Sequence, residues 1–277
     1  MSPRTMTFSL EFFPPRTALA EERLEANLPT LLALEPRFIS VSCGAAGSSQ
    51  EGTFELVQAL RTNHRVTCCP HMSSVGRTRT RIARVVRAYA ELGVRRCIAL
   101  RGDKPDGYVP SEAHYTSSWE LIAGLRDVVP EFEIGVGCYP EGHPEDRSPD
   151  DRFTILERKV EAGAHFAISQ LFFETDAFLT FRDGCARRGI AAPVWPGIMP
   201  IHNPTRVFGF ADKCGAVVPD ALRARFEGKS DEETFELARD VVCKQALRLK
   251  AEGVEHMHLY TLNRHRLAAE IVRALKT

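Results

Sequence analysis

No stretch of this chain is apolar for long enough to cross a bilayer, and nothing near its start resembles the apolar core of a secretory leader. Neither sign of charge is in excess, because Lys plus Arg and Asp plus Glu number 36 each. That balance argues against a nucleic acid or a membrane surface as partner. The eight cysteines include no CxxC pair and are scattered through apolar segments. Buried free thiols in a cytoplasmic protein are the expectation. Only Cys68-Cys69 with His71 hints at a metal. Adjacent strand residues point to opposite faces, so the two thiols do not share one ion and no metal is expected. The phosphate-cradling G-x-G-x-x-G is also missing after the first strand, where the chain reads Glu11-Phe12-Phe13-Pro14-Pro15. Gly44-Ala45-Ala46-Gly47 follows the second strand at the wrong spacing. A doubly wound dinucleotide-binding sheet is therefore disfavoured.

What is present is a regular alternation. Of 277 residues, 44% are hydrophobic, enough for one large core. β-rich runs fall at 7–13, 38–43, 65–70, 95–101, 132–139, 165–172, 193–198 and 256–261. Amphipathic helical patterns lie between them, near 20–34, 51–62, 79–92, 116–128, 151–162, 176–188, 204–213 and 232–252, with a last one near 265–275. Eight strand–helix units predict an α/β protein of the closed (β/α)8 TIM-barrel class, one domain over 1–277. Residues 216–229 read as an insertion, a short helix and loop, before the last unit.

Barrel enzymes carry their sites at the C-terminal ends of the strands. Alternation puts Phe8, Leu10 and Phe12 on one face of the first strand and Thr7, Ser9 and Glu11 on the other. Likewise Ile39 and Val41 oppose Ser40 and Ser42, and Ile134 and Val136 oppose Gly135, Gly137 and Tyr139. In the fourth strand, Ile98 and Leu100 oppose Cys97, Ala99, Arg101 and Asp103. Bulky faces are expected on the helices and small or polar faces in the lumen. The small faces end in Glu11, Ser42, His71, Asp103, Tyr139 and Gln170, with Arg264 after the eighth strand. A carboxylate where an apolar strand meets Pro14-Pro15 is costly unless it does chemistry. Each residue has a plainer reading alone: Asp103 as a turn acid, His71 as a loop histidine after Pro70, Arg158 and Lys159 as a solvated helix face. Their convergence at one rim points to an enzyme.

The chain resembles the methylenetetrahydrofolate reductase family along nearly its whole length. The resemblance runs through Ser9-Leu10-Glu11-Phe12-Phe13-Pro14-Pro15-Arg16, Ala99-Leu100-Arg101-Gly102-Asp103 and Tyr139-Pro140-Glu141-Gly142-His143-Pro144-Glu145. It continues through Lys159-Val160-Glu161-Ala162-Gly163-Ala164, Gln170-Leu171-Phe172-Phe173, Pro196-Gly197-Ile198-Met199-Pro200 and Tyr260-Thr261-Leu262-Asn263-Arg264. It implies the short bacterial form, a catalytic barrel alone. The implied reaction reduces 5,10-methylenetetrahydrofolate to 5-methyltetrahydrofolate, with NADH or NADPH passing hydride through FAD in ping-pong order.

By that resemblance Glu11 and Asp103 are catalytic. Glu11 is the general acid that protonates the folate's bridging nitrogen, with burial expected to raise its pKa toward roughly 6–7. Asp103 faces the pterin, Gln170 hydrogen-bonds it, and Arg264 forks the folate's glutamate tail. Ser42, His71, Arg101, Gly102, Asp103, Tyr139, His143, Arg158 and Lys159 are the implied FAD contacts. Relatives are dimers or tetramers, so a homo-oligomer is one implied state, and no self-complementary patch is legible. Pro204 stands where relatives carry an aromatic, and Ser42-Cys43, Thr116, Arg152 and Ile155 also depart from the pattern. These departures keep two alternatives open: the same reaction without flavin, and a folate-binding barrel without turnover.

Overall fold

Each β-rich run forms a parallel strand, and each amphipathic run forms a helix that carries the chain back to the sheet. The computed structural model describes residues 6–43, 50–104 and 107–276, so Gly44-Ala45-Ala46-Gly47 lies outside the described residues. The order is β1 (Thr7–Phe12), α1 (Ala18–Leu32), β2 (Ile39–Val41), α2 (Gln50–His64), β3 (Cys68–Ser73), α3 (Arg79–Glu91) and β4 (Arg96–Leu100). It continues with α4 (Ser118–Val128), β5 (Glu133–Cys138), α5 (Asp151–Glu161), β6 (Phe166–Ser169) and α6 (Thr175–Arg187). The chain finishes with β7 (Val194–Trp195), β8 (Gly197–Ile198), α7 (Pro204–Cys214), α8 (Asp220–Phe226), α9 (Asp231–Ala251), β9 (His256–Tyr260) and α10 (Arg266–Lys276).

All ladders are parallel, in the order β7-β6-β5-β4-β3-β2-β1-β9-β8. The two ends of this order adjoin in sequence. β7 pairs with β6 and β8 with β9, and the carbonyl of Pro196 between them accepts from His258 N at 2.9 Å. β7 and β8 are thus one barrel position interrupted by a residue with no N–H to give, and the ring is a (β/α)8 TIM barrel. Among the described residues, no helix is long and apolar enough to cross a membrane.

The helices cover the ring with apolar stripes. In α10 the buried residues are Leu267, Ala268, Ile271, Val272 and Leu275, one face of a 3.6-residue period. Each large one contributes about 1.5–3 kcal/mol on burial. Helix starts are marked by caps: Ser230 and Glu233 make a reciprocal box at α9, and the Asn203 side chain accepts from Arg206 N at α7. Pro204 opens α7, where a missing N–H and a fixed φ cost nothing.

Two distinct apolar regions surround the strands. The barrel–helix layer takes Phe8, Leu10, Phe12, Ile39, Val41, Cys68, Ile134 and Val136. The lumen takes Phe38, Cys69, Ile98, Phe166, Ile168 and Trp195, with Leu100 and Tyr260 against them. Cys68 and Cys69 therefore face opposite sides, as strand geometry requires.

Strand β4 corrects the expectation from residue size. Ile98 and Leu100 point into the lumen, while Cys97 and Ala99 pack outward. The neighbouring glycines explain this. Ile98 is in register with Gly135, and Gly135 with Phe166. A Cβ on Gly135 would lie 2.3 Å from the Phe166 ring, and one on Gly137 would lie 3.6 Å from Leu100. The space the glycines leave is filled by bulky side chains from the strands beside them. A second correction concerns β3, which runs on to Ser73, so His71 is a strand residue paired with Ile98 rather than a loop residue. Pro70 sits where β3 passes from pairing with β2 to pairing with β4, a place that tolerates a missing donor.

Candidate active site

The motif around Glu11 and the one around Arg264 hold each other. Thr261 Oγ1 donates to the Glu11 carbonyl at 2.7 Å, and Asn263 both accepts from Phe13 N at 3.1 Å and donates to Phe13 O at 2.8 Å. Leu262 and Asn263 take the left-handed conformation with φ of 50° and 57°, and for leucine that is strained backbone beside the site. The Arg264 side chain is exposed at this rim.

Glu11 itself points into the mouth of the lumen, with its side chain one-fifth exposed. Its Oε2 lies 3.3 Å from His71 Nε2, 3.4 Å from His258 Nε2 and 3.4 Å from Ser40 Oγ. Burial pushes its pKa up, but the electrostatic attraction and hydrogen bonds of the His71 and His258 rings together outweigh burial and hold it at about 2. The raised value expected from the sequence is thus corrected: Glu11 rests as a carboxylate. The imidazoles that reverse the balance come from β3 and β9, far away in the chain.

Tyr260 lies beside this group. Its hydroxyl donates to the Ser169 carbonyl at 2.8 Å, and burial raises its pKa well above the ordinary phenol value. Gly197 allows the arrangement, because a Cβ there would lie 2.2 Å from Ser169 O and 2.5 Å from the Tyr260 ring. Ser40, His258 and Tyr260 were not among the sequence candidates. The available signal was the period-two run His256, His258, Tyr260 on β9, in register with Thr7, Ser9 and Glu11.

A second cluster joins the ends of β4 and β5. Arg101 clasps Glu145 through two 2.7 Å hydrogen bonds, tying the Arg101-Gly102-Asp103 turn to the Tyr139–Glu145 loop. Gly102 has φ 87°, and a Cβ there would meet Ser73 Oγ at 2.4 Å, so only glycine fits. Asp103 is exposed beyond the end of β4, near enough to Tyr139 and Cys214 to disfavour their ionisation. Tyr139 packs edge-on against His143 at 4.6 Å. Gln170 shares a small recess with Tyr139, Glu141 and Cys214, its Oε1 accepting from Leu171 N at 2.9 Å.

Lys159 is buried in the barrel wall rather than solvated. Its Nζ donates to Gly137 O at 2.7 Å and lies 5.9 Å from the Tyr139 ring. Burial lowers its pKa to about 8. Arg158 is exposed, its guanidinium 5.5 Å over Trp119. Arg152 donates to Pro140 O and lies 4.9 Å over Phe153, while both Thr116 N and Thr116 Oγ1 donate to Glu120. These departures from the family pattern thus have local partners.

Several polar atoms at this rim await a partner. Ser42 Oγ is buried with no hydrogen bond of good geometry among the described residues, whereas His71 Nε2 is turned to Glu11. Lys159 places one of its three protons on Gly137. The unmet donors of Ser42, just after β2, and of Lys159 on α5 fit a large, polar, anionic ligand such as a flavin nucleotide, and these residues would hold it. Among the described residues, no group of three or more His, Cys, Asp or Glu side chains is arranged to hold a metal.

The fold has a solved counterpart in an uncharacterized protein from Clostridium thermocellum that binds two copies of 5-methyl-5,6,7,8-tetrahydrofolic acid. The TM-score is 0.69 at 12% identity, covering 99% of this chain and 95% of that one. The 5,10-methylenetetrahydrofolate reductase of Salmonella typhimurium is 35% identical over 269 residues, covering 96% of this chain and 90% of that protein. The enzyme of the same name from Escherichia coli matches with the same identity and coverage. The family model described as methylenetetrahydrofolate reductase matches residues 2–276. With that model spanning nearly the whole chain and relatives at 35% identity over 96% of it, the chain belongs to the methylenetetrahydrofolate reductase family of oxidoreductases.

Proposed function

We propose that this chain reduces 5,10-methylenetetrahydrofolate to 5-methyltetrahydrofolate, with electrons from NADH or NADPH relayed through FAD in ping-pong order. The observation that carries the reading is the Glu11 carboxylate at the lumen mouth, aimed at the rim and hydrogen-bonded from below by His258 and Ser40. Opening the five-membered ring requires a proton on the bridging nitrogen, and Glu11, which rests as a carboxylate, is positioned to hand one over once a proton has been loaded onto it. Asp103 at the rim favours the positive charge that develops on the pterin, Gln170 bonds the pterin edge, and the exposed Arg264 pairs with the glutamate tail. Ser42, His71, Arg101, Gly102, Tyr139, His143, Arg158 and Lys159 would hold the flavin. Flavin chemistry supplies the two-electron relay between nicotinamide and folate. Pro204 serves as the first residue of α7 and removes no group from this set.

The test separates the two half-reactions. Purified protein loaded with FAD should bleach with NADH or NADPH and recover its colour with methylenetetrahydrofolate. Glu11→Gln should bleach normally and recover about 10²–10⁴-fold more slowly. Recovery at the wild-type rate would remove Glu11 from the role of acid.

A further inference from the structure

The carboxylate is the upper end of a continuous chain of polar groups running down the lumen. His258 Nε2 is 3.4 Å from Glu11 Oε2, and His258 Nδ1 is 2.7 Å from Ser9 Oγ. Ser9 Oγ is 3.0 Å from His256 Nε2, and His256 Nδ1 is 2.7 Å from Thr7 Oγ1. Ser9, His256 and His258 are buried, while Thr7 is exposed at the opposite mouth of the barrel. Each link joins two groups that can both give and take a proton.

The charge on Glu11 orients the whole series. A carboxylate only accepts, so His258 must carry its proton on Nε2 and accept at Nδ1. Ser9 then donates to His258 and accepts from His256 Nε2–H, and His256 Nδ1 at 2.7 Å accepts from the Thr7 hydroxyl in preference to the Glu255 carbonyl at 3.3 Å. All the hydrogens point toward Glu11. Both rings must be neutral for this, and both are held so. Burial lowers the pKa of each, and His256 falls to about 3, with His258, Arg37 and Arg96 as the charged or titratable groups facing it. Around Glu11 the facing groups are His71, His258 and Tyr260.

We infer that Thr7, His256, Ser9 and His258 form a proton path that reloads Glu11 from the solvent at the N-terminal mouth of the barrel. The inference rests on the reading of Glu11 as the acid. That reaction consumes one proton per turnover, and on that reading folate and flavin bound at the rim would cover Glu11 from above. The transfer balances without electrons. A solvent proton adds to Thr7 Oγ1, and the Thr7 hydroxyl proton passes to His256 Nδ1. The His256 Nε2 proton passes to Ser9, the Ser9 proton to His258 Nδ1, and the His258 Nε2 proton to Glu11 Oε2. Rotation of the hydroxyls and turning of the rings restore the starting orientation. The 3.4 Å span at Glu11 is the long one, and such contacts tighten when ligands bind.

The first experiment uses the ligand-free chain. Nitrogen NMR of ¹⁵N-histidine protein at neutral pH should show His256 and His258 neutral and protonated on Nε2. A proton on Nδ1 of either ring overturns the proposal. The second uses the FAD-loaded chain and the two half-reactions. Thr7→Val, which leaves Glu11 and its contacts untouched, and Ser9→Ala should each slow flavin recovery by folate about tenfold or more, with bleaching by nicotinamide within about twofold of wild type. Both should move the pH profile of the folate step, and Ser9→Thr should restore it. Wild-type folate rates and pH profiles in both variants overturn the path. If wild-type protein fails to reduce folate at all, the assigned reaction fails, and the NMR result still decides the direction of the chain.

Discussion

Replacing Glu11 with Gln asks whether the carboxyl is held charged or forced neutral, and stability alone answers. The folded state lowers its pKa from the ordinary 4.5 to about 2. At about 1.4 kcal/mol per pH unit, this corresponds to about 3 kcal/mol of folding stability at neutral pH. That figure is a ceiling, because the side chain is one-fifth exposed and solvent screens part of the attraction. On acidification the unfolded chain binds the proton first, so the stability is present above pH 4.5 and is lost as pH falls toward 2. Glu11→Gln keeps the shape and removes the charge. Urea denaturation at pH 7 should find the variant about 1–3 kcal/mol less stable, with the gap closing on acidification below pH 4.5. The depressed His256 and His258 act in the same direction in both proteins, costing stability as pH falls below 6.5. A variant as stable as wild type, or more so, at pH 7 would overturn the assignment of a resting carboxylate. It would mean that burial prevails over the two imidazoles and that Glu11 rests protonated.

The inward face of β5 can be tested by Gly135→Ala, whose new methyl would lie 2.3 Å from the Phe166 ring. It should cost about 1–3 kcal/mol in a urea melt, and Phe166→Leu should recover much of that loss in the double variant. A cost under about 0.5 kcal/mol would place the two residues wrongly. Lys159→Met removes a buried cation that spends one proton on Gly137. It should weaken FAD uptake about tenfold or more in a fluorescence titration while leaving the unliganded melting temperature unchanged or higher. Equal FAD affinity would take Lys159 out of the cofactor site.

Much of the architecture is written in local pattern. Strand-length β-rich runs alternating with amphipathic ones are enough to specify a barrel, and the motif Ser9–Arg16 puts Glu11 at the end of its first strand. Alternation along β1 placed Thr7, Ser9 and Glu11 on one face, and the same rule separated Cys68 from Cys69. Both placements hold because the two-residue period is set by the backbone itself. The rule gives two faces but no label for them. Both faces of a barrel strand are buried, so size alone misled at β4, where Gly135 and Phe166 on neighbouring strands decide that Ile98 and Leu100 turn inward.

The charge on Glu11 is the clearest case of tertiary control. Its own segment, an apolar strand ending at two prolines, predicts a raised pKa by desolvation. The imidazole that helps reverse that prediction belongs to His258, 247 residues away, and it reaches Glu11 only because β9 pairs with β1 when the barrel closes. Composition and periodicity act over a few residues and so dictate strands, helices and motif positions. Electrostatics acts across space, so the state of the acid and the line of hydroxyls and rings beneath it exist only once distant strands meet.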